Sequence, residues 1–277
     1  MFRKLFAAAV ASLMVFAAAP AFASAKSDAV AAVKLALKYA NAGDDAKFGA
    51  MMLPGGIVID EFAPFRWSDG LPGWAVAYAA YNTQNGVTQP KTTVVKVKRV
   101  LIEGDRAYVS VGVIYSYKEQ GRPRKETGID LFVLAKTAEG WRILSFAWFS
   151  KGGVDTGPNA DAAAQAVRDE LDGFNTGKTD MSKLAWEGVI DEFPAYSFAG
   201  VADWGAGFAK EGQTDTHLAL GTPDHLSVNG DAAYVAFPAL ITGKVKGKPI
   251  HEKGHFAFVV VKTAEGWKSK SWAWTLD

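Results

Sequence analysis

The chain has 277 residues, 49% of them hydrophobic and 21% charged, with 30 Lys+Arg against 29 Asp+Glu. That balance excludes disorder as the main state, and a formal charge of +1 gives no global field for a polyphosphate, so nucleic-acid binding through charge is disfavoured. The absence of cysteine excludes disulfides, thiolate metal sites, cysteine nucleophiles and a lipid-modified N-terminal cysteine, and the length suggests about two domains, each large enough for a core.

Arg3 and Lys4 precede an apolar run from Leu5 to Ala19, followed by Pro20 and the small-x-small end Ala21-Phe22-Ala23. Basic, apolar and cleavable regions in that order read as a secretory signal peptide over residues 1–23, while an uncleaved N-terminal anchor is the alternative. No later stretch is long and apolar enough to span a bilayer. The mature chain is expected to be periplasmic or secreted, soluble and without stable membrane insertion.

The remainder repeats itself with a period of about 130 residues. Val58-Ile59-Asp60-Glu61-Phe62 recurs as Val189-Ile190-Asp191-Glu192-Phe193. Gly104-Asp105 with Ala107-Tyr108-Val109 recurs as Gly230-Asp231 with Ala233-Tyr234-Val235, and Lys136 to Trp141 recurs intact as Lys262 to Trp267. The copies end alike in Phe146-Ala147-Trp148 and Trp272-Ala273-Trp274. Ordered matches with a nearly constant offset indicate a duplicated domain: 24–150, a Gly- and Pro-containing linker over 151–160, and 161–277.

The elements run in the same order in both copies. Asp28 is the expected cap of a first helix using Val30, Val33, Leu35 and Leu37 and ending near Asn41-Ala42-Gly43; Asp161 starts its counterpart, ending near Asn175-Thr176-Gly177. A second short helix follows, then a β-branched run at Ile57-Val58-Ile59 or Val189-Ile190. A third helix covers about Pro72 to Tyr81 or Val201 to Lys210. Long strands follow: Thr92 to Ile102, Ala107 to Tyr117, Ile129 to Lys136 and Trp141 to Phe149, joined by Gly-Asp, Gln-Gly and Glu-Gly turns. Helices first and a curled antiparallel sheet afterwards make an α+β domain.

That order, the Asn-Ala-Gly-Asp at Asn41 to Asp44 and the aromatic last strand resemble the ketosteroid isomerase, SnoaL-like cyclase and nuclear transport factor 2 superfamily. The resemblance implies two tandem cone-shaped domains, each a strongly curved sheet wrapped around helices with a cavity inside. Members commonly dimerise through their sheets, so a tandem fusion implies an intramolecular pseudo-dimer. It also places Asp60 where the isomerases carry their general base. Asp130 falls near their second carboxyl group, which donates to an enolate oxygen; the separation of two carboxyl pKa values by apolar burial is a known property of that enzyme class.

The pattern breaks in two places. Ala36 stands where those enzymes carry a helix tyrosine, with Tyr39 a turn further on, and Phe256 stands where Asp130 does in the second copy, leaving Asp191 without a matching donor. The favoured reading makes Asp60-Glu61 and Asp191-Glu192 a strand-end or turn that positions the fold, because two copies with different surroundings both keep it.

His251-Glu252-Lys253-Gly254-His255 matches the zinc-protease pattern, but Gly243, Gly247, Pro249 and Gly254 deny the helix it needs. On an extended chain two residues four apart are separated by about 13 Å, too far to share one zinc. No metal or organic cofactor is expected. His255 alone is kept as a pocket candidate beside a plain strand position. Matched Trp74 and Trp204, Trp141 and Trp267, and Trp148 and Trp274 are expected to fill equivalent cores, whereas Trp67 and Trp272, with Phe65, Tyr78 and Tyr115, are candidates to line cavities for flat apolar ligands. Lys96 to Arg99 and Arg122 to Lys125 read as a solvated strand face and a hairpin tip. The functional expectation is binding of a small hydrophobic molecule, with acid-base chemistry at Asp60 and a structural or partner-binding role as alternatives.

Overall fold

The computed structural model describes residues 24–277. The signal-peptide reading falls on residues 1–23 and lies outside them. Helix α1 spans residues 24–42. Ala29, Val33 and Ala36, three to four residues apart, form its buried stripe. Two expectations change here. Asp28 lies inside the helix, where it accepts from Ser24 Oγ, and Leu35 is 39% exposed because it falls off that stripe.

After α2 (Asp45–Ala50), short strands β1 (Val58–Ile59) and β2 (Arg66–Trp67) lead into α3 (Leu71–Asn85). Four long strands complete the first half: β3 (Val87–Glu103), β4 (Arg106–Glu119), β5 (Arg122–Thr137) and β6 (Gly140–Ser150). The six-stranded sheet has the order β2-β1-β6-β5-β4-β3, antiparallel except for β1 beside β6. Register shifts in β3 and between Val133 and Leu134 mark bulges, which sharpen the twist and curl the sheet.

The second half repeats this with α4 (Pro158–Asn175), β7 (Val189–Ile190), β8 (Ser197–Phe198), α5 (Val201–Glu211), β9 (Gln213–Leu220), β10 (His225–Asn229), β11 (Ala232–Val245), β12 (Lys248–Thr263) and β13 (Gly266–Leu276). Pro158 occupies the first turn of α4, so Asp161 lies within that turn rather than at the cap. A 3-10 turn at Met181–Lys183 takes the place of α2, and the counterpart of β3 is split into β9 and β10, both paired with β11. Each half is an α+β unit with its helices on the concave side of a curved antiparallel sheet.

The Asn-Ala-Gly and Asn-Thr-Gly segments tie helix to sheet. The Asn41 amide donates to Thr92 O at 2.7 Å and accepts from Thr92 N at 2.8 Å; Asn175 does the same with Leu218 at 2.8 and 2.7 Å. A side-chain amide carries both N–H donors and an acceptor oxygen, so it can pair with a strand residue as another peptide would.

Strand alternation buries both faces of each sheet. On β5, Phe132 and Leu134 enter the core beneath the helices, while Ile129, Leu131 and Val133 face the other half, where they meet Ile190, Tyr234, Ala257 and Val259. Burial on both faces explains the near-continuous apolar runs of the central strands. Two bonds of the same kind cross this shared core: Tyr108 Oη donates to Trp274 O at 2.9 Å and Tyr234 Oη to Trp148 O at 2.7 Å.

Candidate functional site

Asp60 follows β1 at the start of a tight turn. Its amide donates to Phe65 O at 3.0 Å, its Oδ1 accepts from Glu61 N at 2.7 Å, and its Oδ2 accepts from Trp74 Nε1 at 2.7 Å. Asp191 is held the same way, with its amide on Tyr196 O at 3.0 Å, Glu192 N at 2.8 Å and Trp204 Nε1 at 2.9 Å. In both halves this aspartate fixes a turn to the helix that follows, which is why the pentapeptide recurs.

The surroundings of the two aspartates differ. Asp60 opens onto a cavity of about 780 Å³ with Asp130, Tyr78, Tyr115, Trp74 and Trp148 on its wall. Asp130 projects from β5 and has no hydrogen-bonding protein partner among the described residues, although it is only 5% exposed. Burial, and then the neighbouring Asp60, hold its carboxyl well above the usual carboxylate range. Burial, followed by the charge of Glu61, pushes Asp60 up to about 8 despite its two N–H donors. Tyr78 and Tyr115 meet hydroxyl to hydroxyl at 2.5 Å, and burial raises both phenols, so they stay neutral donors. Tyr78 also stacks on Trp74 with ring centroids 5.0 Å apart.

The cavity of the second half, about 720 Å³, has Asp191, Trp204 and Trp272 on its wall, and Phe256 takes the place of Asp130. Burial raises Asp191 to about 6. The glutamate beside each cavity is met from across the shared core. Glu61 in the first pairs with His225 Nδ1 of the second half at 3.0 Å, with Ser150 Oγ against the same nitrogen; Glu192 in the second pairs with Arg99 Nε of the first half at 2.8 Å. Burial pushes Glu61 up, but the hydrogen bond and charge of His225 prevail and hold it below its usual value.

Three sequence-derived candidates stand elsewhere. Phe65 is 1% exposed in the core between the two halves, because the turn closed by Asp60 points it away from the cavity. Trp67 on β2 is buried in the core of the first half and packs tilted against Phe62 with ring centroids 4.9 Å apart, so it fills space rather than facing the cavity. His255 lies on β12 between Asp224 and Asp277, Nδ1 at 3.3 Å from one and Nε2 at 2.8 Å from the other, in an ionic cluster near the C-terminus and off the cavity wall. His251 to His255 are extended strand. Tyr39 does not turn inward; it lies beneath Lys47 Nζ at 5.7 Å, and Tyr78 and Tyr115 supply the hydroxyls of the cavity. Arg99 departs from the solvated face expected of its stretch by crossing to Glu192.

The crossing pairs left no signal in the sequence, since the repeat keeps the glutamates while their partners differ. Gly128 and Gly254 make room for the aromatic last strand. A Cβ on Gly128 would lie 2.4 Å from the Trp148 ring and from Phe149 O, and one on Gly254 would lie 2.7 Å from the Trp274 ring, so these glycines let the two indoles lie on the strands. Their signal was the shared two-residue spacing before Asp130 and Phe256.

The arrangement therefore defines a pair of curved-sheet domains, each enclosing an aromatic cavity with a buried carboxyl group. No protein-family model matches the sequence, and no curated protein matches it. Solved structures similar to one half of the chain include a ketosteroid isomerase-like protein from Erwinia carotovora atroseptica, 17% identical, covering 46% of this chain and 97% of its own with a TM-score of 0.40. A nuclear transport factor 2-like superfamily protein from Salmonella enterica is 18% identical over 40% of this chain and 86% of its own, TM-score 0.34. The S. rosetta CaMKII hub is 20% identical over 45% of this chain and 100% of its own, TM-score 0.36.

Proposed function

We propose that this is an exported, two-domain binding protein, an intramolecular pseudo-dimer whose first half holds a small, mostly apolar molecule carrying a carbonyl or hydroxyl oxygen. The observation that carries this reading is Asp130: a buried carboxyl without a protein partner, facing a cavity of about 780 Å³ beside two paired phenols. Ligand pockets commonly have volumes of about 300–1,000 Å³, with apolar walls and a few convergent polar groups. A carboxyl kept neutral by its surroundings donates a hydrogen bond, and so does whichever of Tyr78 and Tyr115 accepts from the other, which suits an oxygen acceptor on a flat or alicyclic body.

Native mass spectrometry of the protein purified from its own periplasm should show a retained small molecule, lost on Asp130→Leu while the melting profile stays cooperative. Retention unchanged by Asp130→Leu would overturn the reading. An intact mass beginning at Ser24 would support export, and one retaining Met1 to Ala23 would count against it.

A second reading is favoured by Asp60 sharing that cavity. Ionised only as pH rises through about 8, Asp60 then takes a proton from carbon beside a carbonyl while Asp130 donates to the oxygen. Its two N–H bonds oppose this, since the same bonds serve the turn at Asp191, and so binding without turnover stands first.

A further inference from the structure

We propose that the second cavity is a separate site for a small organic cation, a protonated or quaternary amine on an apolar body. This stands independently of the ligand assigned to the first cavity, because it rests on different residues.

The walls differ in chemistry. Trp186, Trp204 and Trp272 stand nearly perpendicular to one another, with centroids 5.4 to 5.6 Å apart and interplanar angles of 75° to 84°. Two of these rings are pinned by carboxylates on the same wall: Trp186 Nε1 donates to Glu170 at 2.9 Å and Trp204 Nε1 to Asp191. Indole faces attract cations through the ring quadrupole, most strongly where water is excluded.

The charges are unbalanced as well. Glu192 has Arg99, but Asp191 and Glu252 on the wall have no salt-bridge partner among the described residues, and Glu170, which burial raises, accepts from Trp186; Lys26 reaches the cavity from an exposed position and is bonded to none of them. In the first cavity a second carboxyl, Asp130, lies beside Asp60 and burial raises both, while Glu61 on the same wall has His225 as its partner. In the second, Phe256 occupies the matching place and Asp191, near 6, remains ionised at neutral pH. A desolvated carboxylate with aromatic neighbours and no fixed counter-ion is stabilised by a cation that brings its own apolar body.

The test uses the full mature chain, with benzyltrimethylammonium and its uncharged carbon isostere neopentylbenzene as probes and tryptophan emission as the readout. At neutral pH the cation should bind saturably and about tenfold or more tighter than the isostere. Asp191→Asn should remove most of that preference. Lowering the pH to about 5, one unit below the Asp191 value, should weaken the cation about tenfold and leave the isostere unchanged. Because Asp191 also anchors its turn, Glu252→Gln provides a second variant, expected to weaken the cation severalfold with unchanged melting. Equal affinity for the two probes, or a preference that survives Glu252→Gln and acid pH, overturns the proposal.

Discussion

Arg99 and His225 hold the same place in their two sheets, Arg99 opposite Ser110 on β4 and His225 opposite Ala236 on β11, and each crosses to the glutamate of the other half's Asp-Glu-Phe turn. The duplicated chain thus keeps a two-fold contact whose acidic member is preserved and whose basic member has diverged. An arginine is charged at every accessible pH, whereas a histidine is charged only when protonated, so one contact is permanent and the other conditional.

Removing Arg99 leaves Glu192 largely buried without its partner. Burial already holds Glu192 at about 7, with the Arg99 charge opposing it, so in Arg99→Ala this carboxyl takes up a proton more readily. The loss of stability should be on the order of 2 kcal/mol at about pH 8.5 and smaller at about pH 6, where protonation relieves the unpaired charge. Urea denaturation at the two pH values measures it, and a loss independent of pH would count against the pairing.

Tyr108→Phe and Tyr234→Phe each remove one hydroxyl and leave a buried tryptophan carbonyl unpaired. Each should cost about 1–2 kcal/mol, with the two costs similar because the two bonds join corresponding residues of the repeat. Chemical denaturation of the single variants tests this. A neutral result for both would mean that the shared core is held by apolar contact alone.

The apolar face carrying Ile129, Leu131, Val133 and Phe149 is covered only by the second half. Residues 24–155 expressed alone should dimerise through that face or aggregate. Sedimentation of that fragment is the check, and a soluble monomer melting as high as the whole chain would show that the halves are independent.

Asp60→Asn and Asp191→Asn each weaken an anchored turn and should destabilise by similar amounts, on the order of 1 kcal/mol. If Asp60 is only an anchor, ligand binding by the folded fraction is unchanged. If it is a base, Asp60→Asn abolishes turnover of a carbonyl substrate while affinity persists.

Raised carboxyl pKa values also make a prediction with a sign. Between the unfolded aspartate value of about 3.9 and the folded values, Asp60, Asp130 and Asp191 bind more protons folded than unfolded, so stability falls as pH rises through that window. The melting temperature should drop from about pH 5 to about pH 8.5. Asp130→Asn should flatten the slope, and a slope unchanged in that variant would show that Asp130 is not held protonated.

The sequence by itself determined the duplication, the order of the elements and the α+β class, because these rest on local signals: turn residues, periodicity and ordered identity between copies. It also placed Asp60, Asp130, Tyr78 and Tyr115 on matched or alternating strand and helix positions from which the first cavity is built. Which apolar residues face a cavity and which face the partner half was decided only by the tertiary structure. When both faces of a sheet are buried, alternation carries no label for the two sides, so Phe65 and Trp67 read like cavity residues until the turn at Asp60 sets their direction. The crossing pairs of Glu61 with His225 and Glu192 with Arg99 join positions far apart in the chain. No local pattern specifies them; they follow from two curved sheets brought together by the contact of their apolar faces.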